Sequence, residues 1–418
     1  MSLRFKGNIG TKGTLKGKII PTGPDWDNLI ETKVLASDGL ADDRFGISAS
    51  MSADGNTAIV GAYKGDTISS NEGAAYIYTR SGSTWTEQAK IQASDGLPDD
   101  QFGYRVGISD DGQTVIVGAP LADPSGVDRK GATYIFARSG NDWIETKILH
   151  NGNPHDHFGI DVSISGDGQT AIVGAHQSDG NGPMDAGAAY IFTRSGITWT
   201  EQKRLVASDG AQQEYFGTAV SISGNGQTAI VGAYADDTTP GERAGSAYIF
   251  TGLNWAEEQQ ITASDKEALD QFGKDVSISG DGLTAMVGAS YEDTGGDFAG
   301  SVYSYTWDGN EWTEQKIQAS NKEQYSQFGE SVSISSDGNT AIIGSPERSI
   351  NGVRAGAAYI FTRSEGVWTE LMMIEASDRE ASDWFGVGVG IANNGTSLAG
   401  AYGEDTNGSN DGAAYFYS

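Results

Sequence analysis

Chemistry in this chain, if it has any, should begin with its histidines. All four lie between residues 150 and 176, and three of them, His155, His157 and His176, flank two loops that ought to share one side of the molecule. Neighbouring imidazoles can ligate zinc or a similar ion at about 2.0–2.1 Å. Elsewhere in the chain nothing recurs at these positions, and the bland reading is drift in one pair of loops. No metal is therefore assigned, and His155, His157 and His176 are carried as candidates only. Cysteine is absent, which removes thiolate nucleophiles, thiolate metal sites and disulfides together. No cluster of acid, base and nucleophile stands apart from the repeats described below, so we expect no catalytic residues, no cofactor and no enzyme.

Tryptophan is the other residue type with a chemical use, since its ring can stack on a sugar. Trp26, Trp85, Trp143, Trp199, Trp255, Trp312 and Trp368 recur at one position of a repeat, whereas Trp307 and Trp384 fall outside it. A ring demanded by every repeat is expected to pack between repeats. The two irregular tryptophans are the freer candidates.

These residues are positioned by a phrase that repeats along the chain. Ser163–His176 reads SISGDGQTAIVGAH, and close relatives occur at 52–63, 109–120, 223–234, 279–290, 335–346 and 392–402. Each reads as a strand, a tight turn and a second, continuously apolar strand. Asp-Gly between such runs predicts a hairpin with positive φ angles, and Asn225 and Asn394 replace Asp with the other residue that tolerates them. Phe-Gly precedes every copy, at Phe45, Phe102, Phe158, Phe216, Phe272, Phe328 and Phe385, at intervals of 56–58 residues. An aromatic strand such as GAAYIFTR at 187–194 and a Trp strand such as WTEQKIQAS at 312–320 complete each unit. Helical periodicity is missing, and four short strands at this period predict an all-β, seven-bladed β-propeller with four antiparallel strands per blade.

The termini predict how the ring closes. A Trp strand at 26–36 comes before any Phe-Gly unit, and the last unit stops at Ser418 after its aromatic strand. Pairing 26–36 with 413–418 completes the seventh blade and leaves no bare sheet edge. Two regions follow: a basic arm at 1–25 and a propeller at 26–418.

At this point FGIDVSISGDGQTAIVGA with its downstream GAAYIF resembles the FG-GAP repeat, the blade of the integrin α-subunit head. The Gly-Ala-Pro of that motif stands at Gly118-Ala119-Pro120, and the resemblance covers residues 26 to 418. It implies the same propeller and a binding role. Many FG-GAP blades also hold calcium between their first two strands. Here that loop is only Ser-x-Asp-Gly-x-Thr, and a calcium cage takes six to eight oxygens. The calcium site is not carried over.

Charge bounds the partners. The formal net charge is −29, which repels nucleic acid and anionic membrane, and no segment is long and apolar enough to insert in a bilayer. Residues 1–25 differ sharply: Arg4, Lys6, Lys12, Lys16 and Lys18 stand with no acid before Asp25, so the rest carries about −34. They do not read as a secretory signal. With Phe5, Ile9, Leu15, Ile19 and Ile20 as apolar anchors, they read as an arm that docks onto other protein subunits. The opening is similar to those of some phage tail and fibre proteins. Chain direction places the Asp-Gly hairpins and the turns before Trp on one face. Longer, acidic loops, including 63–73, 234–245, 291–300, 94–101 and 264–271, collect on the other, where a host-surface glycan or protein could bind. The expected function is a non-enzymatic structural or binding module displayed on a virion, as a phage tail or fibre component. The competing settings are a bacterial surface or secreted adhesin and, last, a carbohydrate-active propeller enzyme.

Overall fold

The computed structural model describes Trp26 and residues 29–65, 71–123, 128–148, 153–179, 183–237, 243–252 and 254–418. The basic arm at 1–25 and its proposed docking role lie outside the described residues, as do His150 and parts of the long loops at 63–73 and 234–245. Among the described residues no helix is long and apolar enough to cross a membrane.

Every blade is a four-stranded antiparallel sheet. Blade 1 runs Phe45–Met51, Thr57–Ala62, Ala74–Ser81 and Thr84–Ile91, in that order from the axis outward. The second strand is buried at all six positions because neighbouring blades cover both its faces, which is why TAIVGA shows no alternation. The innermost strands of blades 2 to 7 are Arg105–Ile108, Val162–Ile164, Ala219–Ile222, Val276–Ile278, Ser331–Ile334 and Val389–Ile391. They are short and rich in Ser and small residues, and they line an axial channel. Blade 6 carries one addition, a small hairpin of Ser349–Ile350 and Val353–Arg354.

The ring closes as the termini imply. Glu31–Val34 pairs with Ala413–Tyr417, Glu31 opposite Tyr417 and Val34 opposite Ala414, so the N-terminal strand is the outermost strand of blade 7. The ladder extends by reciprocal backbone bonds between Ile30 and Ser418 at 3.0 and 3.2 Å. Trp26 lies before this strand and packs half-buried against the blade 6–7 core.

Two glycines explain the repeated phrase. A Cβ on Gly61 would collide with the carbonyl oxygen of Gly103, and Gly103 itself sits at φ 90°. The Gly of Gly-Ala in one blade is thus pressed against the Gly of Phe-Gly in the next, an approach only glycine permits. Phe102 fills the space behind, fully buried and edge-on to Tyr134 at 5.4 Å. The recurrent tryptophans do pack between blades: Trp85 of blade 1 stacks on Phe416 of blade 7 at 3.9 Å, and Trp368 Nε1 donates to Ser304 Oγ of blade 5 at 2.9 Å.

The hairpin turn differs from the sequence expectation. Gly55 has φ 67°, but neither Asp54, Asn225 nor Asn394 has a positive φ. The loop is four residues long, with Gly55 N donating to Ser52 O at 2.9 Å, and only its glycine enters the left-handed region. Asp earns its place through hydrogen bonds instead: Asp111 Oδ1 accepts from Ser109 Oγ at 2.6 Å and from Gln113 N at 2.9 Å. Asn225 accepts the same two bonds and adds a donation from Nδ2 to Asp281 O of the next blade at 3.0 Å.

A second repeated network ties the blades together. Tyr303 Oη donates to Asp265, which precedes blade 5, while Lys316 Nζ reaches Asp265 at 2.6 Å and Glu292 at 2.8 Å. In blade 7 Tyr415, Lys33, Asp378 and Glu404 repeat this arrangement. Burial works against both ammonium groups, yet hydrogen bonds and charge from the carboxylates outweigh it and raise their pKa. Blade 4 departs: Gln260 occupies the lysine position opposite Tyr248, and both acids, Asp209 and Asp236, remain.

Candidate functional site

The channel opens on the long-loop face, where each innermost strand begins. The residue just before Phe-Gly lies at positive φ in every blade: Arg44 at 58°, Gln101 at 61°, His157 at 54°, Tyr215 at 56°, Gln271 at 56°, Gln327 at 52° and Trp384 at 53°. These conformations are unfavourable for side chains with a Cβ and persist only where the surrounding structure dictates them. Here backbone bonds to the neighbouring loop impose them, as in Arg44 N to Asn410 O at 3.1 Å and Phe45 N to Asp411 O at 3.1 Å. A buried carboxylate fixes the same turn, Asp43 Oδ2 accepting from Leu40 N at 2.8 Å. The scaffold therefore sets the direction of this side chain and leaves its identity free.

What it carries meets the residue that follows Gly-Ala in its own blade and in the preceding one. Arg44 bridges blades 1 and 7, with its guanidinium 5.7 Å from the Tyr63 ring and 5.4 Å from the Tyr402 ring, and donates to Tyr63 Oη at 2.7 Å. Trp384 stacks on Tyr402 at 4.8 Å and donates to Glu347 at 3.0 Å. Tyr104 meets Tyr63 edge-on at 5.5 Å. Across the channel Tyr215 touches His176 at 5.6 Å and stacks on Tyr234 at 5.8 Å, and Lys274 lies over Tyr234 at 5.3 Å. Two aromatic arcs, on blades 7, 1 and 2 and on blades 3 and 4, the second capped by Lys274 of blade 5, thus rim the opening. Except for buried Tyr63, their rings are half-buried.

Below the rim the channel holds a cavity of about 160 Å³ lined by Arg105, Asp161, Asp275, Ser48 and Ser331 among aliphatic residues. Arg105 Nε stands 3.7 Å from Asp161 Oδ1. Asp161 accepts from Val220 N at 2.6 Å and Asp275 from Val332 N at 2.7 Å, so each carboxylate also stitches its blade to the next. Burial pushes Asp161 up to about 6, against the pull of Arg105. Asp275 rises to about 7 through burial and the Asp161 charge, again opposed by Arg105. Towards the hairpin face a second space of about 130 Å³ narrows onto Asp110, whose carboxylate accepts from Ser336 Oγ of blade 6 at 2.8 Å. Asp110 lies against Gly166 and Gly224 as well, which places its carboxylate on the axis.

The three histidine candidates separate. His157 and His176 come together at 5.4 Å, on the rim, whereas His155 is exposed and points to Asp128 Oδ2 at 3.7 Å. Burial drives His176 down to about 3, with His157 adding to the effect. His157 is lowered by burial and then by Arg129 and His155. Both rings are therefore neutral near pH 7. Among the described residues no three His, Cys, Asp or Glu side chains come together to hold a metal. Of the free tryptophans, Trp384 belongs to the rim, while Trp307 packs on Trp312 at 5.6 Å within its own hairpin.

Sequence reasoning missed most of this site, including Arg44, Tyr63, Tyr104, Arg105, Asp161, Tyr215, Tyr234, Lys274, Asp275 and Tyr402. The signal was available as the columns immediately flanking Phe-Gly and following Gly-Ala, which vary in identity beside dipeptides that barely change.

Comparison with known proteins agrees with this architecture. The FG-GAP repeat matches at residues 30–78, 85–136, 145–192, 199–250, 255–305, 312–361 and 368–417. No curated protein matches the chain. Among solved structures, Kuenenia stuttgartiensis hydrazine synthase is similar with a TM-score of 0.54 and 13% identity, over 88% of this chain and 95% of that one. At that identity the likeness is one of fold. Each matched unit begins with an outer strand and ends with the third strand of the next blade, a frame offset by one strand from the blade itself. That offset is what sends the first strand to close blade 7, and with seven registered units spanning most of its length the chain belongs to the FG-GAP repeat family.

Proposed function

We propose that this chain is a non-catalytic binding module that engages its ligand at the channel opening on the long-loop face. The observation that carries the reading is the rim. Seven equivalent backbone positions aim side chains around one opening, and the chain fills them with Arg44, His157, Tyr215 and Trp384 as well as glutamine. Function carried by variable residues on a rigid scaffold takes this form. The hairpin face offers the contrast: its turns are nearly identical, and their carboxylates are occupied by Ser hydroxyls and backbone amides.

The setting we propose is a virion appendage, docked through the basic arm at 1–25, with the long-loop face left free. A cell-surface adhesin is the competing setting. The binding face is tested by screening the full chain against glycan and peptide arrays alongside Trp384→Ala and Gln169→Ala. Loss of a hit with Trp384→Ala and retention with Gln169→Ala supports the reading, and the reverse pattern moves the site to the hairpin face and refutes it. The setting is tested separately, by asking whether a truncation beginning at residue 23 still incorporates into a native particle.

A further inference from the structure

We propose that the channel opening takes the terminal sugar of a neutral glycan. This inference rests on the binding reading above and names the ligand class of the same site. It begins with size. A cavity of about 160 Å³ lies well below the roughly 300–1,000 Å³ of pockets for drug-sized ligands. What enters is a small polar molecule or the end of a larger one, with the half-buried rings of the rim around its neck.

Charge then selects among polar ligands. An ammonium group would be drawn to aromatic faces, but the rim rings of Tyr63, Tyr402, Tyr104 and Tyr234 already face the protein's own cations. Arg44 sits over Tyr63 and Tyr402, Arg105 over Tyr104 at 5.4 Å and Lys274 over Tyr234. A ligand cation would have to displace one of them. An anion meets Asp161, Asp275 and Glu330, the last paired with Lys274 at 3.6 Å, within a chain of formal net charge −29. Neither sign dominates the opening.

What remains is a lining in which a charged donor stands beside two carboxyl groups. Arg105 donates, Asp161 and Asp275 accept, and each carboxylate keeps lone pairs beyond the two backbone amides it already serves, Val220 and Val162 for Asp161, Val332 and Val276 for Asp275. Adjacent hydroxyl groups, each able to donate and to accept, match such an array, and charge-assisted bonds to hydroxyls are strong without requiring a charged ligand. Trp384, stacked on Tyr402 with part of its surface exposed, offers an apolar flank beside the opening.

The test uses the full chain and free sugars as probes: glucose, galactose, mannose and N-acetylglucosamine, with glucuronic acid and glucosamine as charged counterparts. Binding is followed by saturation-transfer NMR and calorimetry. At least one neutral sugar should bind, and its charged counterpart should bind about tenfold more weakly or worse. Asp275→Asn, which preserves shape and keeps an acceptor for one of the Val332 and Val276 amides, should weaken binding at pH 8 by about tenfold or more, since bonds to charged groups are the stronger ones. Melting curves confirm that the variant is folded, and Asp161→Asn provides a second variant should Asp275→Asn fail to fold. Overturning results are no neutral sugar bound, preference for a charged sugar, or sugar binding that neither variant alters. If no sugar binds while another ligand still requires Trp384, the glycan inference falls and the binding module stands. If a bound sugar is lost with Gln169→Ala instead, both fall.

Discussion

Gln260→Lys should stabilise the junction between blades 3 and 4, and the internal repeats supply the reason. Gln260 stands opposite Tyr248 where Lys316 stands opposite Tyr303 and Lys33 opposite Tyr415. In those blades one ammonium joins two acids. In blade 4 Tyr248 Oη approaches Asp209 Oδ1 at 2.8 Å and Asp236 Oδ2 at 2.9 Å with a single proton to share, and the Gln260 amide is neutral. Burial raises Asp236, the Asp209 charge adds to it, and hydrogen bonds from Ser246, Tyr248 and Gln260 only partly offset the rise. Glu214 close by is pushed up to about 7, mainly by burial and then by Asp236, Asp209 and Asp237. Blade 6, which also lacks the lysine, has Met373 there and has exchanged the acid for Asn321, so its junction carries no such surplus.

Carboxyl groups whose folded pKa lies above the unfolded value stabilise at low pH, and that contribution is lost as pH rises from about 4 through about 7. A lysine at 260 should reverse this, because ionised acids then gain a partner. Asp209 is exposed, so its arm is discounted for solvent screening, and Asp236, 4% exposed, carries the gain. A charge-assisted bond there contributes about 1.5–3 kcal/mol, less the neutral bonds of Gln260, for a net of about 1–2 kcal/mol. At roughly 2.1 cal/mol/K per residue, a ring of this length converts that into a rise in Tm of about 1–2 °C. Scanning calorimetry at pH 8 and pH 4.5 should show the rise at pH 8 and little at pH 4.5. Lys316→Gln in blade 5 should lower Tm with the same pH dependence. An equal or lower Tm for Gln260→Lys at pH 8 would refute the reasoning.

Other outcomes follow from the same structure. Truncation to begin at residue 39 removes Glu31–Val34 and the Lys33 contacts to Asp378 and Glu404, and should abolish a cooperative melt, whereas truncation to begin at residue 23 removes no described pairing and should leave Tm within about 1 °C. A chelator should not lower Tm through the Asp-Gly hairpins, whose Asp Oδ1 atoms already accept from Ser hydroxyls and amides; a calcium ion bound at Asp111, Asp167 or Asp281 would contradict this. His157 and His176 have lowered pKa values, so the stability they contribute is lost as pH falls below about 6.5, and His176→Phe should reduce the acid sensitivity seen in melts between pH 7 and 5. Docking through residues 1–25 should weaken between low and high salt, read as incorporation into a native particle, because exposed charge pairs are screened over about 8–10 Å.

The ring and its closure were legible in the sequence because both follow from composition at fixed offsets. Phe-Gly and Gly-Ala recur since the blades touch there through backbone, and backbone contact tolerates only glycine. The turn chemistry was half legible. Asp-Gly correctly marked a hairpin, but Asp54 and Asn225 act by accepting hydrogen bonds in an ordinary turn conformation, a distinction the dipeptide alone does not carry. The histidines were partly legible: the reading that put His157 and His176 on one face holds, since they meet at 5.4 Å, whereas His155, two residues from His157 with both at left-handed φ, turns to Asp128 instead.

The rim was illegible for a deeper reason. Arg44 and Tyr402 are far apart in sequence and sit in columns that no single residue type fills, Gln recurring three times in one and Tyr three times in the other, so neither periodicity nor motif marks them. A repeat protein needs uniformity wherever one blade meets the next and is free of that demand only where its side chains leave the interface. Variation in columns directly beside the most uniform dipeptide of the repeat is therefore the trace that function leaves in such a fold. In this chain those columns hold Trp384, which irregularity had already singled out, and Tyr215, which it had not. Both meet neighbouring aromatics at the long-loop opening of the channel.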